Sequence, residues 1–144
     1  MKVGIFQEIW MGLATDLQDF QRRAIDPICQ KNGLTGQQLR ILLALADGPD
    51  QSVGDLSENV AILRTNIAAV CRRLEADGLI RRTRGGSDKR VVTVCLTPQG
   101  AAVLDSVRRE FHQRYAGIFE SEPQETFTAV SQGMAALRSF LKKF

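Results

Sequence analysis

The apolar positions between Ser52 and Gly100 change period midway. Val53, Leu56 and Val60 recur at three and four, one buried stripe on a short helix, with Ser52 placed to cap its free amides and Asp55 to return a bond to Ser52. A second helix is predicted from about Arg64, where Ile67, Val70, Cys71 and Leu74 form the next stripe. It ends at Asp77 and Gly78, glycine tolerating the left-handed position that closes a helix. The period then falls to two: 79–83 and 91–96 read as strands on either side of the basic segment 84–90. Two short helices with a tight link, followed directly by a hairpin, predict a winged helix-turn-helix. In that arrangement the second helix enters the major groove of DNA and the hairpin, or wing, touches the neighbouring backbone or minor groove.

The flanking pattern is helical. A helix over 5–24 carries Phe6, Trp10, Leu13, Leu17 and Phe20 on one wide stripe with Ile9 beside it. Asp26 as cap and Pro27 at the first position restart a short helical turn, which Asn32 and Gly33 stop. Thr35-Gly36-Gln37-Gln38 is a capping box opening a helix through Leu39, Leu42, Leu43 and Leu45 to the breaker Asp47-Gly48-Pro49. Thr97 caps and Pro98 begins a long helix with Val103, Val107, Phe111, Tyr115 and Ile118 or Phe119 at helical spacing. Beyond Ser121-Glu122-Pro123, a last helix carries Phe127, Val130, Met134, Leu137, Leu141 and Phe144. The expected fold is mainly α with a small β-hairpin wing. Residues 35–100 would form the DNA-binding winged helix-turn-helix, and 1–34 with 101–144 a helical dimerisation region, all in one domain.

Charge sharpens this picture by where it lies. The net charge is only +3, but residues 62–90 hold eight lysines and arginines against three acids, a local +5 that leaves the rest of the chain at −2. That excess sits where a winged helix needs phosphate contacts. Arg64, Thr65, Asn66 and Ala69 fall opposite the apolar stripe in the first turns of the second helix, so they are the candidates to reach base edges. Asn66 suits adenine; Arg64 suits guanine or phosphate. Arg72 and Arg73 stand for phosphate contacts or for ion pairs with Glu75 or Asp77. In the wing, Gly85-Gly86 permits a close backbone approach, and Arg84, Lys89 and Arg90 are candidates for phosphate or the minor groove.

Two runs carry a family resemblance. Leu74-Glu75-Ala76-Asp77-Gly78-Leu79-Ile80 is similar to the join from recognition helix to wing in the MarR-type winged-helix transcriptional regulators. Asp88-Lys89-Arg90 followed by Val94-Cys95-Leu96-Thr97-Pro98-Gln99-Gly100 resembles the same family's wing and the start of its next helix. The resemblance implies that Arg90 reads the minor groove and that Asp88 braces the wing arginine. It also implies that the first and last two helices interlock with those of a second copy, so that two recognition helices about one DNA turn apart, roughly 34 Å, read a pseudo-palindrome. A small aromatic or anionic effector between the dimerisation helices and the winged helix is implied too, with Trp10, Leu13, Arg40 and Phe111 as candidate lining. The chain departs from the family pattern at Ala61, Leu63 and Ala68, which replace a glycine, a polar cap and a hydroxyl residue; this leaves the start of the recognition helix open by a residue or two.

The inventory for other functions is thin. There is one histidine, His112, and none of the sequence patterns HExxH, CxxC or a nucleophile elbow, so no enzyme, cofactor or metal is expected. The hairpin lacks a phosphate-cradling glycine motif. No apolar run approaches the roughly 18 residues of a membrane span and no signal-peptide pattern opens the chain, so a cytoplasmic protein without a membrane partner is expected. The main reading is a homodimeric repressor of double-stranded DNA that responds to a ligand. The alternatives are a winged-helix dimer serving as a protein-interaction module, and a redox-sensing regulator with Cys29 as the candidate thiol.

Overall fold

The computed structural model describes residues 2–48, 50–60, 62, 64–85 and 90–144, and for 64 and 65 the backbone only. Among them the order is α1 Lys2–Phe20, a π-helical turn Gln21–Ile25, α2 Asp26–Lys31, α3 Gly36–Asp47, β1 Gln51–Ser52, α4 Val53–Val60, α5 Arg64–Ala76, β2 Ile80–Arg84, β3 Val92–Leu96, α6 Pro98–Ser121 and α7 Gln124–Leu141. The chain divides into two compact units, Met1–Glu110 and Phe111–Phe144.

In the first unit the core gathers around α3, which packs on α4, α5 and β3. Its Ile41, Leu42 and Leu45 are buried together with Leu56 of α4, Ile67, Cys71 and Leu74 of α5, and Val94 of β3. The predicted caps at Thr35, Gly33, Gly78, Ser52 and Thr97 form because each rests on neighbouring residues. Thr35 accepts from the Gln38 amide at 3.2 Å while the Gln38 side chain accepts from the Thr35 amide at 2.8 Å. Gly33 and Gly78, at φ +68° and +75°, close α2 and α5, and the next residues donate back to Cys29 and Leu74 carbonyls. The Asp55 amide donates to Ser52 Oγ at 3.0 Å, and the Gly100 amide to Thr97 Oγ1 at 3.0 Å.

Three expectations are corrected. Asp26 is not a cap: the chain stays helical from α1 into α2 through the π turn, and the Asp26 carboxylate instead accepts from Gln21 Nε2 at 2.9 Å. Pro27 explains the wide turn, since it has no N–H for the carbonyl four residues back and its ring excludes that carbonyl; the Asp26 amide reaches five residues back, to Gln21. On α3, Leu43 points outward at 37% exposure and Ile41 takes its place in the core. The wing is part of a three-stranded antiparallel sheet ordered β1-β3-β2 rather than a lone hairpin, with Gln51 opposite Val94 and Ser52 opposite Thr93. The Gln51 side chain also closes α3, donating to the carbonyls of Ala44 at 2.7 Å and Gly48 at 2.6 Å.

In the second unit Phe111, Tyr115, Phe119 and Phe127 form a run of ring contacts with centroids 4.9 to 6.0 Å apart, which ties the C-terminal half of α6 to α7. Neither α1 nor α7 buries a residue within the single chain. Ile9, Trp10, Leu17 and Phe20 of α1 remain exposed, as do Val130, Met134 and Leu141 of α7. Among the described residues no helix is long and apolar enough to cross a membrane.

Candidate nucleic-acid interface

Helix α5 owes its orientation to one face. Ile67, Cys71 and Leu74 have no exposed surface and pack it against α3 and α4, so Asn66, Ala69, Arg72 and Arg73 are left on the exposed side. The turn between the two helices is held by backbone and short side chains: Ser57 Oγ donates to the Ile62 carbonyl at 2.5 Å, the Ile62 amide donates to the Ser57 carbonyl at 3.2 Å, and the Arg40 guanidinium donates to the Val60 carbonyl. Arg40, an expected ligand residue, thus also supports the helix-turn-helix.

The wing leaves the module through a corner that explains the motif residues around it. Leu79 and Ile80 are buried at its root. Thr97 Oγ1 donates to the Gly78 carbonyl at 2.6 Å, and the Thr97 amide donates to the Leu79 carbonyl at 3.1 Å. Gly100 lies so near this corner that a β-carbon there would sit 2.1 Å from the Leu79 carbonyl oxygen. Strand β2 then runs beside β3 in a register that sets Arg82 against Val94 and Arg84 against Val92. Arg84 and Arg90 are exposed. Lys89 and Asp88 fall outside the described residues, as do Gly86, Ala61, Leu63 and the side chains of Arg64 and Thr65.

The basic excess is partly spent within the module. Arg73 Nε lies 3.5 Å from Asp77 Oδ2 with both side chains well exposed, a contact of the kind that contributes ~0.2–1 kcal/mol and yields readily to a phosphate. Arg82 differs. Its Nε and Nη2 stand 2.7 and 2.5 Å from Glu75 Oε2, and its backbone amide donates to Glu75 Oε1 at 3.2 Å. These bonds, the guanidinium ones foremost, hold the Glu75 carboxyl below its ordinary pKa. The pair had a readable trace in the sequence, because the alternation that buries Ile80 puts Arg82 on the same face of β2; what was missing was that the end of α5 lies under that face.

Cys29, the redox candidate, is 1% exposed, and burial, with the Asp26 charge behind it, pushes its thiol pKa up. A sensing thiol needs the opposite. Burial raises Cys71 as well, while Cys95 is only half-buried and faces the Arg81 carbonyl at 3.7 Å. We expect a thiol reagent to modify Cys95 first and to reach Cys29 and Cys71 only on unfolding; fast labelling of Cys29 by mass spectrometry would contradict this. Because the unfolded state sheds these two protons at lower pH than the folded one, their contribution to stability should fall as pH rises past the ordinary thiol pKa.

Comparison with known proteins places this geometry. Residues 32–91 match the MarR family. The homoprotocatechuate degradative operon repressor of Escherichia coli is 31% identical over 114 residues, 77% of each chain. Among solved structures, NadR in complex with 4-hydroxyphenylacetate is similar at 29% identity and a TM-score of 0.75, covering 90% of this chain and 91% of that one. MarR of Staphylococcus aureus, solved with salicylate and kanamycin, shares the fold at 20% identity and a TM-score of 0.82 over 96% of this chain and 93% of its own. The chain belongs to the MarR family of winged-helix transcriptional regulators.

Proposed function

We propose that this regulator is a homodimeric, ligand-responsive repressor that reads a pseudo-palindromic operator with the exposed face of α5 in the major groove and the wing arginines beside it. The observation that carries the reading is the two-sidedness of α5, whose fully buried stripe presents Asn66, Ala69, Arg72 and Arg73 outward next to an exposed basic wing. Dimerisation is supported by α1 and α7, whose apolar side chains are at most half-buried in one chain. Exposed apolar surface of this extent marks an interface.

Ligand response is supported by an open hollow of about 430 Å³ lined by Gln21, Asp26, Thr35, Gly36, Gln37 and Arg40, at the π turn and the start of α3. Its volume is in the range of small-molecule sites. Since NadR was solved with 4-hydroxyphenylacetate and the E. coli relative is named for control of homoprotocatechuate degradation, a small aromatic acid is the effector class to test. It would act by favouring a spacing of the two recognition helices that does not fit the operator.

The test is selection from a pool of random duplexes at two salt concentrations. Enrichment of a pseudo-palindrome with half-sites about one helical turn apart supports the reading; salt-sensitive binding without a motif would favour the interaction module instead. On the selected operator, Arg90→Ala should weaken binding at every salt concentration and make the slope of log affinity against log salt shallower by about one unit. Adding 4-hydroxyphenylacetate should release the operator, read as a fall in fluorescence anisotropy.

A further inference from the structure

The recognition helix and the wing must meet one duplex together, so the angle between them is part of the binding site. Sheet order leaves β2 at an edge, paired only with β3. Its residues are buried at Ile80 but largely exposed from Arg81 to Arg84, so the outer wing has little packing to hold it. Between the end of α5 and the wing lies an open hollow of about 220 Å³ lined by Glu75, Arg82, Thr83, Arg84 and Val92. Among the described residues, what spans this gap is a single carboxylate: Glu75 accepts two guanidinium N–H groups and one backbone amide from Arg82. Charged bonds of this multiplicity fix direction as well as distance.

A small tilt at the wing root moves the outer strand far enough to break a phosphate contact. From Ile80 to Arg84 is four residues, about 13 Å of extended strand. A tilt of about 10° at the root would move Arg84 by about 2 Å, most of the length of the hydrogen bond it would make to a phosphate.

We propose that Glu75 and Arg82 are positioning residues that lock the wing at the angle where it and the recognition helix fit the operator at once, acting through this brace without touching DNA themselves. The proposal rests on the operator-binding reading above. It separates Arg82 from the wing's DNA-facing arginines, although all belong to the same basic stretch of sequence.

The experiment measures full-length wild type, Glu75→Ala, Arg82→Ala and the double variant on the selected operator and on a random duplex, across a salt series. Each single variant should lose about tenfold in operator affinity, the double no more than either single, because both break one coupled contact. Random-duplex affinity should stay at its wild-type value, and the operator salt slope should become shallower equally in both single variants, because either loss lets Arg84 slip from its phosphate. Glu75→Gln, which keeps size and one acceptor, should fold normally and lose less than Glu75→Ala. The idea is overturned if Glu75→Ala and Glu75→Gln bind the operator like wild type, or if the single losses add in the double. It is equally overturned if Arg82→Ala flattens the salt slope while Glu75→Ala leaves the slope unchanged and tightens random-duplex binding, for then Arg82 is itself a phosphate contact. A wild type that selects no operator would defeat the DNA-binding reading first, and this proposal with it.

Discussion

Gly100→Ala should cost more than about 4 kcal/mol, the range reserved for steric failures in a packed site. The added β-carbon would sit 2.1 Å from the Leu79 carbonyl oxygen and 2.9 Å from Leu96 Cδ1. The carbonyl cannot yield cheaply, because it accepts the Thr97 amide at 3.1 Å and Leu79 itself is buried at the wing root. Relief would require the start of α6 to lift off the corner it caps. Gly78→Ala provides the contrast. There the neighbour at 3.0 Å is the end of the flexible Gln99 side chain, and the cost is mainly that of φ +75° for a residue with a β-carbon, about 1–2 kcal/mol. Urea unfolding of both variants at one fixed protomer concentration checks the order. Equal midpoints would mean that the corner is softer than its geometry.

Leu74→Ala should cost about 2–5 kcal/mol, the range for truncating a fully buried leucine, and should weaken operator binding further than stability alone requires. Leu74 has no exposed surface, and its carbonyl accepts the Leu79 amide at 2.9 Å, so one residue both anchors the recognition helix and starts the wing. The cavity would open beside Cys71 and Ile67, on the helix proposed to read DNA. Val70→Ala, half-buried on the same helix, should cost clearly less. Midpoints from the same urea series, with operator affinity measured well below them, separate the two effects. A Leu74→Ala protein as stable as wild type would show that the α5 stripe is not a load on the fold.

Most of the candidate interface was legible because it depends on which way a helix turns. The spacing of Ile67, Cys71 and Leu74 fixes the buried side of α5 and thereby exposes Asn66 and Ala69. The division of labour among the arginines was not legible. Arg72, Arg73, Arg81, Arg82 and Arg84 look alike in a charge count, yet Arg82 is committed to Glu75 and Arg73 lies beside Asp77. A charge pattern reports sign and place along the chain; which acid lies within 3 Å depends on how the strand folds back over the helix end.

The same boundary runs through the whole molecule. Helix order, the Thr35 capping box, the left-handed glycines 33 and 78, the strand pair and the break at Pro123 are local matters, set by residues within a few positions of one another, and they can be read along the chain. The tertiary structure decided what depends on distant partners. Two residues are too short for a periodic signal, so Gln51 and Ser52 become a strand only because β3 offers its edge. Ile41 displaces Leu43 from the core because α4, α5 and β3 crowd one side of α3. Cys29 is sealed in by packing, although its sequence neighbours include Lys31 and Gln30. Gly100 is required by a carbonyl twenty-one residues earlier, since folding brings the start of α6 against the root of the wing.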